Sequence, residues 1–425
     1  MTPEQIEALG PAFADYLQQF LFCCGYTQTF DLLNVYCRGL LSDLKRKNCE
    51  PIALYAGVAV RTLQEFLRDH VWSFAQTRDV LQQHVAHSLP RWPTDDLGTL
   101  GIIDETGTVK KGTDTPGVQR QWCGEVGKQE NCVVTVHLAV ARGRYKTLVD
   151  ADLFLPQSWD QDRDRCRAAG IPDDVVYRPK WQIALGQIDR AGANGIALDW
   201  LTFDEGYGAK PGFLLGLDER HRHYVGEVPK SFRCSTHRLR RRQAGHRADD
   251  LVRHSPAFYT QPWRRFRLHH QTEGDTEWDA KAARVWVSGC GDRRYWLIWA
   301  GNVATGEEKY FVSGEPAAAS LGRMLRVGFG RWNVEHCLRA SKGEVGFRDF
   351  QGRHYVALMR HMILCLVTLT FAAEQAARLR GEKSGGDTGA GVPGIEPAVR
   401  GLAGGLAGDE SVRVPVGGHR LSPAA

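Results

Sequence analysis

Two segments of the chain repeat one pattern, in which an apolar run ends in an acidic pair and glycine follows within two residues. The first is LGIIDETG, where the apolar run stops at Asp104, and the second is ALDWLTFDEGYG, where it stops at Asp204. A short apolar run stopped by turn residues is typical of a buried strand. The pattern therefore predicts two strands that each end in a turn and hold a carboxylate on rigid backbone at the edge of a sheet.

A third carboxylate lies later in the chain, within GRWNVEHCLRASKGEVG. Four charged residues of this segment are spaced four, four and three apart: Arg331, Glu335, Arg339 and Lys342. At this spacing they share one face of a helix, and Trp332 is expected to turn toward the core. A solvated row of ion pairs would give the same spacing. A functional carboxylate among basic side chains is the alternative.

The composition is that of a globular protein with a cytoplasmic location. The chain has 425 residues, 43% of them hydrophobic, which is enough for two or three domains or one large one. Its 11 cysteines contain no C-x-x-C pair, which favours reduced buried thiols over disulfides or a zinc site. The formal net charge is only +5, so the distribution of the basic residues matters more than their number.

Neither end of the chain predicts membrane insertion. The N-terminus has acidic residues and no basic segment leading into an apolar core, so a secretory signal is not expected. The longest apolar run, Met362 to Ala373, is well short of the roughly 20 residues that span a bilayer. We expect a cytoplasmic protein, associated with the nucleoid when it is bound to DNA.

Helical and strand-like periodicities divide the chain into four parts. Residues 1–92 have apolar residues at helical spacing and form either a DNA-binding domain or a packing domain. Residues 93–229 and 318–380 predict the order β-β-β-α-β-α-β followed by helices, which is that of a ribonuclease H-like α/β domain. Residues 230–317 are basic and rich in aromatic strands, and residues 381–425 form a low-complexity tail that is expected to be disordered.

A run of positive charge opens the third part. Between Lys230 and Arg247 there are seven basic residues, two histidines and no acidic residue. A solvated loop is the usual structure for such a run, but the mutual repulsion of these charges is relieved if they contact phosphates. We therefore expect DNA contacts from Arg238, Arg240, Arg241 and Arg242.

Three carboxylates from two strands and one helix are suited to phosphodiester chemistry. Hard oxygen ligands bind Mg²⁺, and two such ions activate the attacking oxygen and stabilise the leaving one. Asp104 is the candidate for the bridging ligand, with Asp204 and Glu335 each completing one metal site. Because successive strand residues face opposite ways, only one residue of each acidic pair can face the site, and Glu105 and Glu205 remain the alternatives.

Five segments in this order resemble the DDE transposases of bacterial insertion sequences, whose catalytic domain is ribonuclease H-like. They are the DETG turn with Lys110 and Lys111 behind it, GVQRQWCGEVGKQENC, LPQSWDQDRDRCRAAGIPDD, the DEGYG strand end and RW-x-x-E with a lysine seven residues later. The resemblance covers about residues 30 to 370. One branch has a tyrosine, arginine, glutamate and lysine signature, which Arg331, Glu335 and Lys342 match, but Gly328 stands in place of the tyrosine.

The resemblance implies a metal site, a reaction and partners. Asp104, Asp204 and Glu335 would bind two Mg²⁺ ions, or Mn²⁺ in their place. Water would cut the DNA at the element's end, and the freed 3′ hydroxyl would join to target DNA. The expected partners are double-stranded DNA at the ends and target, and a second copy of the chain or a higher oligomer. DNA contacts are expected from Lys110, Lys111, Arg331, Arg339 and Lys342.

Two other functions remain possible on the same residues. One is a nuclease of the same fold that stops after hydrolysis. The other is a transposase-derived DNA-binding protein that no longer catalyses a reaction, although the three acidic residues are all present.

Overall fold

The computed structural model describes residues 9–240, 243–270 and 274–382, and it has a mixed α/β fold. The predicted DNA contacts Arg241 and Arg242 and the expected tail beyond residue 382 lie outside the described residues. One hydrophobic core connects the helices of the N-terminal part, the sheets and the C-terminal helices.

The N-terminal part is helical and packs against the last helix of the chain. Its helices are α1 (Leu9–Gln18), α2 (Thr27–Leu41), α3 (Cys49–Ala56), α4 (Val60–Arg68) and α5 (Phe74–Ser88). The last helix, α15 (Tyr355–Glu382), contacts α2, α4 and α5. The Tyr16 hydroxyl donates to the carbonyl of Val367, and the buried Arg360 guanidinium donates to four carbonyls between Phe66 and Trp72. These bonds join the N-terminal helices to α15.

The first sheet contains five strands. They are β1 (Leu100–Val109), β2 (Gln119–Cys123), β3 (Lys128–Arg142), β4 (Tyr145–Leu153) and β5 (Trp200–Phe203). β1 lies in the middle, antiparallel to β3 and parallel to β5, while β2 and β4 pair with β3. A parallel bridge between Leu201 and Tyr224 extends the pairing beyond β5.

The expected turn after Asp104 is absent, because β1 continues to Val109. The long strand β3 supplies a partner for every residue of β1, from Leu100 opposite Ala141 to Val109 opposite Cys132. Gly107 serves close packing here and not a turn, since a Cβ atom at this position would lie 2.7 Å from the Cys123 sulfur. The prediction of a strand was correct, but its end was wrong.

Short helices and one longer helix follow β4 and β5. They are α6 (Gln157–Asp160), α7 (Arg163–Ala168), α8 (Lys180–Ala193), α9 (Glu205–Gly208) and α10 (Pro211–Glu219). α8 packs on β3 and β4, with Ile183, Ala184 and Ile188 buried. It therefore covers one face of the first sheet.

The second sheet contains seven strands and is mostly built from the region predicted to be β-rich. Its strands are β6 (Gly226–Val228), β7 (Arg233–Ser235), β8 (His246–Arg247), β9 (Arg264–His270), β10 (Gly274–Val287), β11 (Arg294–Asn302) and β12 (Glu308–Ser313). The order is β6-β12-β11-β10-β7-β8, with β9 also paired to β10. The expected aromatic hairpin is the antiparallel β10–β11 pair, in which Trp286 lies opposite Arg294. Two helices, α11 (Ala248–His254) and α12 (Pro256–Tyr259), lie between β8 and β9.

Two helices precede α15 and connect the two sheets. α13 (Leu321–Phe329) and α14 (Trp332–Gly343) are separated only by Gly330 and Arg331. Within the described part of the chain, one helix segment, Tyr355–Leu379 in α15, is long and apolar enough to cross a membrane, but 94% of its apolar window is buried inside the protein. The burial of this segment is that of a core helix.

Candidate active site

Asp104, on β1, and Asp204, immediately after the end of the parallel strand β5, lie side by side. In the β1–β5 register, Leu100 is opposite Trp200 and Ile103 is opposite Phe203. The residue that follows Ile103 and the residue that follows Phe203 are both aspartates. β5 ends at Phe203, immediately before Asp204, and the pairing of β1 with β5 ends at the same level. The two acidic motifs found in the sequence therefore meet at one point of the sheet.

The Asp204 carboxylate is fixed by the start of α9. Its Oδ1 accepts hydrogen bonds from the backbone N–H groups of Gly206 at 3.0 Å and Tyr207 at 3.3 Å. This is the N-cap arrangement that aspartate favours. The adjacent Glu205 is exposed. Burial raises the pKa of Asp204, while these backbone hydrogen bonds and Arg331 oppose the rise.

Asp104 is more deeply buried, with 9% of the residue exposed. Burial raises the pKa of its carboxyl group to about 7, and the charge of Asp204 adds to the rise, whereas Arg331 opposes it. Two buried carboxylates that lie side by side repel each other when both are ionised. A cation beside them is therefore needed to keep both in the charged form.

Arg331 supplies that positive charge. Its Nη1 lies 3.2 Å from Asp104 Oδ2, its Nη2 lies 3.1 Å from Glu335 Oε1, and its Nε lies 3.8 Å from Glu227 Oε2. Burial alone would lower the pKa of Arg331, but the three carboxylates together raise it. The i,i+4 pair expected between Arg331 and Glu335 is thus present, and it faces the strand aspartates.

Glu105 faces the other side of the sheet. Its carboxylate accepts a hydrogen bond from Lys180 Nζ of α8 at 2.6 Å, so it is part of the packing of that helix. The alternation of strand side chains places Asp104 and Glu105 on opposite faces. Of each acidic pair, the aspartate is the residue beside Arg331.

Three residues near the carboxylates were not identified from the sequence. Glu227 on β6 pairs with Arg331 and, at 2.7 Å, with Lys309. His137 lies opposite Asp104 on β3, and burial together with the charge of Lys342 lowers its pKa to about 3. Tyr207 is 3% exposed, and in the described residues its hydroxyl has no hydrogen-bond partner. Of these three residues, only Tyr207 lies in a motif noted in the sequence, DEGYG, so only Tyr207 could have been identified from it.

The donor set suits a hard divalent cation, but Arg331 lies among the acidic side chains. In the described residues, no three His, Cys, Asp or Glu side chains are grouped closely enough to hold a metal ion. The carboxylate oxygens of Asp104, Asp204 and Glu335 are nevertheless the ligand type that Mg²⁺ prefers. Burial, with the charge of Asp204, raises the pKa of Asp104 even though Arg331 lies beside it. The residues fit the metal chemically, provided that the guanidinium gives way.

The residues predicted to contact DNA lie in different environments. Lys110 is partly buried and donates to the carbonyls of Arg348 and Phe350, and burial lowers its pKa to about 8. Arg238 is exposed but pairs with Asp292. Lys111, Arg240 and Arg339 are exposed, and Lys342 is half-buried near His137.

Two other sequence details have a structural explanation. Trp332, the first residue of α14, does not turn into the core as expected but is 38% exposed. Gly328 packs against the second sheet, where a Cβ atom would lie 2.9 Å from the Phe311 ring. The tyrosine that the related branch has at this position would not fit.

The fold therefore brings acidic side chains from β1, the end of β5 and α14 together beside Arg331. The family model described as DDE superfamily endonuclease matches residues 19–286, more than half of the chain. The chain therefore belongs to the DDE superfamily of endonucleases.

Its similarity to a transposase extends over most of its length. It is 26% identical over 360 residues to the probable transposase for insertion sequence element IS701 of Microchaete diplosiphon, which covers 83% of this chain and 85% of that protein. Among solved structures, the piggyBac transposase synaptic complex with hairpin DNA aligns with a TM-score of 0.45 at 10% identity. That alignment covers 89% of this chain and 71% of the other.

Proposed function

We propose that this protein is an insertion-sequence transposase that cuts the ends of its element and joins the 3′ hydroxyl to target DNA. Asp104, Asp204 and Glu335 form its catalytic centre. The observation that supports this most directly is the register that puts Asp104 and Asp204 side by side, with Arg331 connecting Asp104 to Glu335. Membership of the endonuclease superfamily and the similarity to an insertion-sequence transposase support the same function.

The proposed catalytic domain is ribonuclease H-like and consists of residues 93–229 and 318–380. Its support is the strand pattern, in which β1, β3 and β4 are antiparallel neighbours and β5 is parallel to β1. Residues 230–317 are the proposed insertion, and they supply six of the seven strands of the second sheet. Residues 1–92 are a proposed DNA-binding region, with Lys45 and Arg46 exposed between α2 and α3.

The three carboxylates would hold two Mg²⁺ ions, or Mn²⁺ in their place, with Asp104 as the shared ligand. When bound, the ions would supply an activated oxygen nucleophile and charge stabilisation for the leaving oxygen. The chain's own part is to hold the three carboxylates on rigid elements and to bind the phosphate. Arg331, on leaving Asp104 and Glu335, could pair with phosphate oxygens through its planar guanidinium.

The proposed reaction has two steps. Water attacks the phosphodiester at the element's end and leaves a 3′ hydroxyl and a 5′ phosphate. The 3′ hydroxyl then attacks a phosphodiester of the target, forms the new bond and releases a target 3′ hydroxyl. Neither step needs a covalent bond between protein and DNA.

The proposed DNA contacts extend from the site into the basic run. Lys111, Arg240 and Arg339 are exposed, and Lys342 lies on the same helix as Glu335. Lys110 and Arg238 would first have to exchange their present partners within the protein. Replacing Arg240, Arg241 and Arg242 together should reduce the salt dependence of DNA binding, by a slope of about 0.9 for each duplex phosphate that the variant no longer neutralises.

The deciding experiment is to incubate the protein with DNA that carries the ends of its own element, in Mg²⁺ or in EDTA, and to map breaks at nucleotide resolution. Metal-dependent cuts at the ends, followed by joining to a second DNA and absent in Glu335→Gln, are expected. Cutting of unrelated DNA without joining would instead indicate a nuclease. Binding without cutting in both Mg²⁺ and Mn²⁺ would indicate a DNA-binding protein that has lost catalysis.

A further inference from the structure

A basic cleft adjoins the carboxylate centre, and none of its basic residues belongs to the contacts predicted from the sequence. Its volume is about 990 Å³. Its basic side chains come from five separate segments of the chain: Arg91, Arg144, Lys146, Arg267, Arg326 and Arg378. Asp95 is the acidic residue that lines it. Arg326 pairs with Asp95 and Asp96, Arg267 pairs with Asp275, and Lys146 is buried, so Arg91, Arg144 and Arg378 are the exposed part of this charge.

The cleft and the carboxylate centre share one wall, the start of α14. Gly330 and Trp332 line the cleft, whereas Arg331, between them, turns to Asp104 and Glu335. Leu100 also lines the cleft, and it is four residues from Asp104 along β1, a distance of about 13 Å in a strand. A polymer that is bound at the carboxylates therefore needs only a few further repeating units to extend into the cleft.

The walls of the cleft are held rigidly. The turn between β3 and β4 packs on the linker before β1, where Gly143 has a φ of +55° and a Cβ atom would lie 2.0 Å from the carbonyl oxygen of Pro93. Arg142 Nε donates to the Trp92 carbonyl at 3.0 Å, and the Trp92 and Tyr145 rings stack at 5.2 Å. Arg144 and Lys146, on either side of Tyr145, are therefore presented on fixed backbone, which lowers the entropy lost on binding.

The charge pattern fits a polyanion better than a small molecule. The cleft has apolar lining residues as well, but its basic side chains come from distant segments, so they are spread along the cleft and do not converge on one point as in a small-molecule pocket. Guanidinium groups bind phosphate oxygens in pairs, and an exposed tryptophan offers a face to a base or sugar. Trp332, 38% exposed, occupies that position in the cleft.

We propose that this cleft binds the sugar–phosphate backbone of a DNA segment next to the one that reacts at the carboxylates, irrespective of its sequence. This rests on the proposed function, since it takes the DNA at the carboxylates as given. Arg91, Arg144 and Arg378 are exposed, so their replacement should leave the core intact, and they are the residues to test. Arg326 is less suitable, because its pairing with Asp95 at 3.1 Å also holds the linker before β1.

The test compares two triple variants that remove the same charge. Arg91→Gln, Arg144→Gln and Arg378→Gln remove charge from the cleft, whereas Arg120→Gln, Arg167→Gln and Arg353→Gln remove it from exposed sites outside the cleft and outside the proposed N-terminal DNA-binding region. Binding of element-end duplex and of unrelated duplex is measured in EDTA over a range of KCl concentrations. We expect the cleft triple to lower the salt slope by up to about 2.7 and the affinity by at least about tenfold, for both duplexes.

If the two triple variants show the same DNA affinity and the same salt slope, the proposal is wrong. A loss confined to the element-end duplex would assign the cleft to end recognition instead of sequence-independent binding. Because cleavage is not measured here, a wild-type protein that cuts nothing in Mg²⁺ would refute the proposed function and leave this result unaffected. A photoreactive side chain at position 144 should also crosslink to bound DNA, and one at position 167 should not; the reverse pattern would contradict the proposal.

Discussion

Arg331 and Asp104 are 227 residues apart in the chain and form an ion pair of 3.2 Å inside the protein. Both side chains are largely buried, with 14% and 13% exposed. The same guanidinium reaches Glu335, so a single internal cation balances acidic groups from the sheet and from α14. In this arrangement the charge that a metal would supply comes from the protein itself.

Removing Arg331 should therefore destabilise the protein and make it respond to metal. We expect Arg331→Ala to lower the free energy of unfolding by about 3 kcal/mol, because it leaves buried carboxylates without their cation. Added Mg²⁺ should restore part of this loss by binding the native state. Thermal unfolding with and without Mg²⁺ measures both effects. Arg339→Ala, an exposed change on the same helix, is the control and should alter neither.

A metal-induced rise in melting temperature that is equal in wild type and Arg331→Ala would contradict competition between the guanidinium and the metal. No rise in either protein would argue against metal binding at these carboxylates.

Each of the three candidate carboxylates should be essential for cleavage but not for DNA binding. Asp104→Asn, Asp204→Asn and Glu335→Gln keep the size of the side chain and remove one metal ligand. We expect the cleavage rate to fall about 10³-fold or more, since the ions contribute several kcal/mol to the transition state. Glu205→Gln is the matched control, because Glu205 is adjacent to Asp204 in sequence but exposed. Full cleavage activity in any of the three would remove that residue from the proposed site.

The parts of this site that local patterns specify were predictable from the sequence. An apolar run before an acidic pair indicated both strands, and the spacing of Arg331 and Glu335 indicated the helix. The sequence also predicted that the two aspartates converge, but the parallel register that places them at the same level is known only from the structure.

Features that depend on contacts between distant segments were not predictable. Glu227 lies on a short strand with no distinguishing motif and reaches Arg331 only through the folding of β6 beside the site. Lys110 looks like a surface lysine in sequence but is tied to two backbone carbonyls beyond α14. The predicted end of β1 is wrong because glycine is typical of turns, whereas β3 provides strand partners on both sides of Gly107.

A buried histidine in α15 should make stability depend on pH. His361 is fully buried, its Nε2 donates to the Gly346 carbonyl at 3.1 Å, and its Nδ1 accepts from the Tyr36 hydroxyl at 2.9 Å. Burial lowers the pKa of His361 to about 4, and the charge of Lys110 acts in the same direction. The unfolded chain therefore binds a proton below about pH 6.5 that the native protein does not bind until about pH 4.

We expect the free energy of unfolding to fall as pH is lowered through this window, by about 3 kcal/mol from this histidine. His361→Gln retains one donor and one acceptor and should show a flatter pH profile. Urea unfolding at several pH values between 4 and 7 measures the difference between the two proteins. His87→Gln, at an exposed position of α5, controls for the loss of a histidine as such. Parallel profiles for wild type and His361→Gln would contradict this prediction.

Gly328 should be required by the packing of α13 against the second sheet. A Cβ atom at this position would lie 2.9 Å from two atoms of the Phe311 ring and 3.4 Å from Val225, both of which are fully or almost fully buried. We expect Gly328→Ala to destabilise the protein by about 1–3 kcal/mol, since these neighbours have little room to move. Gly343→Ala, at the end of α14 with no atom within 4 Å of the added carbon, is the control.

Because Gly328 precedes Arg331 by three residues, Gly328→Tyr should also displace the guanidinium and reduce DNA cleavage more than DNA binding. A stable and active Gly328→Tyr protein would show that the second sheet can accommodate the tyrosine of the related branch.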